Sequence, residues 1–153
     1  CPFDELSLRH LAVSPTGDVV VAGQYQGDDA IPPLVFSHRA GTSQLQAFQA
    51  EEYFWIADDG YIASVAMDPA GKLLLASSPR GNRLTLWDIQ KMQCIETISL
   101  RDVAGVAWSE YFSTFIASNG EGKIYSLHGK KGLKRILIPE HLHWDNHLTV
   151  AGA

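Results

Sequence analysis

A gapless threefold repeat, turn residues at a fixed place within it, and a 41-residue step between two of its copies predict an all-β chain: a β-propeller portion of about three four-stranded antiparallel blades plus a C-terminal closing strand. The copies are LRHLAVSPTGDVVVAGQYQG (Leu8 to Gly27), IASVAMDPAGKLLLASSPRG (Ile62 to Gly81) and VAGVAWSEYFSTFIASNGEG (Val103 to Gly122). Aligned on Ala12, Ala66 and Ala107, they place Leu11, Val65 and Val106 one position earlier, Gly23, Ser77 and Ser118 eleven later, and Gly27, Gly81 and Gly122 fifteen later.

Each copy reads as strand, turn, strand. Ser14-Pro15-Thr16-Gly17 and Asp68-Pro69-Ala70-Gly71 have turn chemistry, with Pro presetting φ and Gly tolerating φ > 0. Ser109-Glu110-Tyr111-Phe112 stands at the third site and is degenerate. The apolar runs that follow, VVVAG, LLLAS and TFIAS, suit strands buried on both faces. Two further strands complete each unit: PLVFSH and QLQAF, RLTLWDI and CIETISL, KIYSL and LKRILI. Blades are expected at about 6–50, 60–100 and 101–139, with a closing tail at 140–153. The first step, 54 residues from Ala12 to Ala66, is swollen by DDAIPP and EEYFWIADDG. Trp87-Asp88 resembles a WD signature and reads as blade packing.

Three blades leave a ring unfinished, since propellers use about four to eight. Earlier blades, a second copy, or a strand lent by WDNHLTVAGA are the ways to finish it. The expectation taken is the C-terminal portion of a longer propeller, with self-association or pairing with missing blades. The opening CPFDEL has neither an initiator Met nor a signal-like apolar run, as expected of a processed or excised piece.

Composition narrows the function classes. At 153 residues, 46% hydrophobic and 19% charged, the chain is long enough for one domain with a real core. Its 12 basic and 17 acidic residues give a net charge of −5, which repels a polyanion, so no nucleic-acid partner is expected. The basic cluster Lys130-Lys131 with Lys134-Arg135 reads as a solvated hairpin loop. No apolar run approaches the about 18 residues of a membrane span. Cys1 and Cys94 permit one disulfide without establishing it, and Cys94 in MQCIETISL behaves as a small apolar residue.

The segments AVSPTGDVVVAGQYQG with PLVFSH, GYIASVAMDPAGKLLLASSPRGNRLTLWD, DVAGVA and the terminal WDNHL together resemble the C-terminal half of bacterial propeller proteins grouped as domain of unknown function 1513. The resemblance covers nearly the whole chain. It implies a WD-repeat or YVTN-like propeller about twice this length. It also implies twin-arginine export, hence a periplasmic place in the bacterial envelope, and a connection with iron or redox traffic. Any site completed by N-terminal blades is incomplete in this chain.

Candidate sites follow from the propeller reading, in which second-to-third strand connections share one rim near the channel. These are GQYQG, SSPRG and SNGEG, so Tyr25, Gln26, Arg80, Asn82, Asn119 and Glu121 are expected on one rim. Gly81 is explained by the turn, whereas no turn type demands Arg80. Its five-donor fork suits a carboxylate or phosphate, or else pairs with Glu121 or Asp102 of a neighbouring blade. Tyr25 either caps a ligand by stacking or plugs the channel.

In HLHWDNH, a His-x-His on a strand places His141 and His143 on one face, with His147 as a third ligand for zinc, copper or iron. The competing reading packs Trp144 under the last blade and leaves the histidines at the surface. Asp28-Asp29 and Asp58-Asp59 read as solvated turn acids, with Ca²⁺ as the alternative. No nucleophile elbow, CxxC, phosphate loop or HExxH occurs.

The function expected is therefore non-enzymatic: a binding or scaffold module that holds a protein partner or small anionic ligand on the rim. The alternative is a metal-binding or metal-dependent envelope protein using the C-terminal histidines. A third possibility is a purely structural spacer.

Overall fold

In the computed structural model, residues 3–128, 132–137, 141–145 and 147–149 are described. Cys1, Lys130 and Lys131, and the tail residues 140, 146 and 150–153, lie outside that set, and so does any pairing of Cys1 with Cys94.

The strands fall into three four-stranded antiparallel blades. The first holds β1 (Leu6–Val13), β2 (Val19–Tyr25), β3 (Val35–His38) and β4 (Leu45–Ala47). After a short helix, α1 (Glu52–Ile56), the second holds β5 (Ser64–Met67), β6 (Leu73–Ser78), β7 (Arg83–Asp88) and β8 (Gln93–Ser99). The third holds β9 (Val103–Ser109), β10 (Thr114–Asn119), β11 (Ile124–Leu127) and β12 (Leu133–Leu137). Within each blade the strands pair in sequence order.

Both faces of the middle blade are buried, as its continuous apolar runs require. The period of two sends Leu74, Ala76 and Val65 toward the first blade, and Leu75, Ala66, Leu84 and Leu86 toward the third. Inner strands are stitched through side-chain hydroxyls: Ser77 Oγ donates to the Ala104 carbonyl at 2.6 Å, and the Val106 amide donates to Ser64 Oγ at 3.2 Å. These bonds satisfy polar groups that would otherwise be buried at a cost of about 1–3 kcal/mol each.

The swollen first step serves packing. The sequence offers no helical period in EEYFWIADDG, yet five of its residues form α1. A helix that short is not stable alone. Burial of Trp55 holds it: the ring stacks on Trp87 at 5.5 Å and 9°, while Phe48 and Phe54 meet Trp87 edge-on at 5.5 and 5.2 Å. Trp87 is fully buried and donates its indole N–H to Thr85 Oγ1 at 2.8 Å. The Trp-Asp pair is thus blade packing, as expected.

The degenerate third turn closes by another route. Ser113 takes φ 48°, one position after the place of Gly17 and Gly71, and its amide donates to the Glu110 carbonyl at 3.1 Å. At the far side of the first blade, β1 exposes Leu11 (62%) and Val13 (57%). The tail lies against the third blade, with Leu148 beside Gly105 of β9.

Candidate functional site

The rim is built where the second-to-third strand connections meet the segments that join neighbouring blades. β2 ends on that segment: the Tyr25 amide donates to the Gly60 carbonyl at 2.8 Å, and Gln24 bridges Tyr61. Arg80, in the β6–β7 connection, reaches the same place. Its guanidinium lies 5.4 Å from the Tyr61 ring centroid and donates to the Asp59 carbonyl at 3.3 Å. Parts of two blades therefore meet around residues 59–61, with Arg80 exposed on top.

Arg80 pairs with neither Glu121 nor Asp102. Glu121 is taken by Lys123, whose hydrogen bond and charge hold the Glu121 carboxyl below its ordinary value. The Asp102 amide is bonded by Asn82 Oδ1 at 2.8 Å, and its carboxylate lies against Gly120. Among the described residues the Arg80 guanidinium is in no ion pair, which leaves donors of its fork open to solvent.

The other rim residues have different employment. Asn82, at φ 52°, ties its loop to the next blade, and Leu100 donates to its carbonyl at 2.9 Å. Asn119 is buried and ties its loop back to the segment before its own blade, its Nδ2 donating to the Arg101 carbonyl at 3.3 Å and its Oδ1 accepting from the Lys123 amide at 3.0 Å. Tyr25 is half-buried at the end of β2. Its hydroxyl folds back over Gly27 beside Glu5, where a Cβ on Gly27 would stand 2.3 Å from the phenol oxygen. Gln26 is exposed and its amide donates to the Glu5 carbonyl at 3.1 Å.

Gly81 corrects a sequence reading. Its backbone is not left-handed; Asn82 carries the positive φ of that turn. Glycine is needed because a Cβ there would lie 2.3 Å from the Ala57 carbonyl oxygen.

Beneath the rim sits a pair that the sequence did not reveal. Arg83, at the start of β7, donates through Nε to Asp58 Oδ1 at 2.7 Å, donates to the Phe54 carbonyl, and lays its guanidinium 4.3 Å from the Phe54 ring centroid. Asp58 is fully buried, and its main-chain carbonyl accepts from Ser78 Oγ at 3.0 Å. Burial pushes the Asp58 carboxyl up, against the opposing hydrogen bond and charge of Arg83. Asp58 is thus no solvated turn acid. The two residues are 25 apart in sequence, one in the segment after α1 and the other at the start of β7.

The histidines are not gathered. Residues 141–145 form no strand, and His141 takes φ 64°, so the alternation expected to put His141 and His143 on one face is absent. His143 Nδ1 is 2.7 Å from the Gly120 carbonyl, so that nitrogen is the donor. The His147 ring lies 5.1 Å from that of His10 on β1. Among the described residues no three His, Cys, Asp or Glu side chains are placed to hold a metal ion. Also among the described residues, no helix is long and apolar enough to cross a membrane.

Three stacked antiparallel blades with inner strands side by side define a propeller-type chain, and solved structures bear this out. The chain superimposes on Kuenenia stuttgartiensis hydrazine synthase with TM-score 0.64 and 18% identity, covering 87% of this chain and 36% of that one. A nidogen/laminin complex matches with TM-score 0.64 and 14% identity over 91% and 51% of the two chains. A mitotic checkpoint complex matches with TM-score 0.62 and 17% identity over 82% and 36%. The chain thus spans about a third to a half of the chains it resembles. None of the curated proteins matches it. By sequence it belongs to the family described as protein of unknown function (DUF1513), matched over residues 2–151.

Proposed function

We propose that the chain is a non-enzymatic binding or scaffold module of a bacterial periplasmic protein, and that its rim receives the carboxylates of a protein partner or small anionic ligand at Arg80. The observation that carries this reading is the state of Arg80: exposed, laid over Tyr61, and in no ion pair among the described residues. An arginine held by an aromatic face and one carbonyl keeps its planar fork oriented while most donors stay available, which suits bidentate carboxylate recognition. The periplasmic location rests on the family resemblance.

Calorimetric titration of the intact protein with citrate and with an Asp-rich peptide tests the reading. Both are expected to bind, and Arg80→Ala is expected to weaken binding about tenfold or more, as loss of a charge-assisted pair does. Unchanged affinity in Arg80→Ala would remove the rim from consideration.

A further inference from the structure

We propose that the outer edge of β8 is a second interaction surface, which takes an extended basic segment of a partner protein as an added strand. β8 stands last in its sheet, so one side of its backbone has no ladder partner among the described residues apart from a single bridge. That bridge shows that the edge accepts a parallel neighbour. The Gln49 amide donates to the Met92 carbonyl at 2.9 Å and Gln49 bridges Gln93 in parallel, but the chain then leaves the edge and turns into α1.

Where the chain departs, a groove of about 730 Å³ opens between residues 49–54 and 93–97. That is within the about 300–1,000 Å³ typical of ligand sites. β8 has a register shift opposite Leu86 and Trp87 that leaves Ile95 unpaired, and Ile95, 53% exposed, lines the groove. Tyr53, 72% exposed, lines the other wall. Alternate side chains of an added strand would meet these apolar groups.

Charge selects the class of occupant. Glu51, Glu52 and Glu96 line the groove, no Lys or Arg does, and none of the three is in an ion pair among the described residues. The other outer strands are guarded: β4 has three residues, and β12 carries Lys134 and Arg135. β8, QCIETIS, has no Lys, Arg or Pro to repel a partner strand. One wall of the groove is α1 with the residues before it and the other is β8.

The probe is a fluorescein-labelled heptapeptide alternating Lys and Val, titrated against the intact protein by anisotropy. Saturable binding is expected, weakening as salt rises. N-methylation of the peptide's alternate amides, which removes strand hydrogen bonds without touching the protein, is expected to weaken it about tenfold or more. Glu51→Lys with Glu52→Lys should cost a similar factor, whereas Arg80→Ala should cost nothing. The proposal is overturned by absence of saturation to about 1 mM, or by equal binding of the N-methylated peptide, which would make the attraction charge alone. A sedimentation dimer dissolved by the Glu51→Lys and Glu52→Lys pair would also overturn it, making a second copy the occupant.

Discussion

Replacing Arg83 by Met should expose how much the buried pair under the rim contributes. Methionine keeps apolar length against Phe54 but removes the donor to Asp58 Oδ1 and the cation over the ring. Asp58 is fully buried, and its Oδ2 already lacks a partner among the described residues, so the carboxylate would be left uncompensated. Removing one member of such a pair costs about 3–5 kcal/mol. At about 2–4 °C per kcal/mol for a domain of this size, the midpoint should fall by roughly 6–20 °C.

The loss should also depend on pH. Burial already raises the Asp58 carboxyl above 3.8, and without Arg83 only the weaker hydrogen bond of Ser78 opposes that. The folded variant then binds more protons than the unfolded chain above that value. Stability should decline as pH rises through the window, by at most about 1.4 kcal/mol per pH unit. Thermal melts of both proteins from pH 4 to 8 measure this. A midpoint within about 2 °C of the parent, or a deficit that shrinks as pH rises, would refute the reasoning.

Three further outcomes are expected. Gly81→Ala should destabilise by about 1–3 kcal/mol in denaturant titration, because its Cβ would meet the backbone of Ala57 at 2.3 Å. Trp87→Ala should cost about 3–5 kcal/mol through loss of the aromatic cluster. Trp87→Phe should cost less, and adding Thr85→Val should recover part of it by removing the orphaned hydroxyl, as a double-mutant cycle would show. The His10 pKa is lowered by burial first, then by His147 and Arg9, so its stabilising contribution is present above 6.5 and lost as pH falls through the folded value. The melting midpoint should therefore fall on acidification, and His10→Gln should flatten that fall.

Much of the fold was legible because the blades repeat. The run RLTLWDI overshoots β7 by one residue at its end and CIETISL is displaced from β8 by one residue, since alternation and flanking turn residues mark strands directly. Helix α1 was not legible: one turn and a half carries no period, and its stability comes from Trp55 meeting Trp87 of another blade. Arg80 could be singled out as a residue its turn did not need, but its platform, Tyr61, lies in the segment between blades and outside the repeat loops. Asn82 and Asn119 stand at different places in the repeat, sixteen residues after Ala66 and twelve after Ala107, yet both bond the same segment, at Asp102 and Arg101. HLHWDNH failed as a ligand set because spacing assumes a strand, and the left-handed His141 breaks that assumption.

The most direct test of the rim account is backbone amide shift mapping of the intact protein titrated with the Asp-rich peptide. Shifts are expected to concentrate at residues 59–61 and 80–82 and to be absent in Arg80→Ala. Shifts confined to other surfaces, or the same shifts in Arg80→Ala, would contradict it.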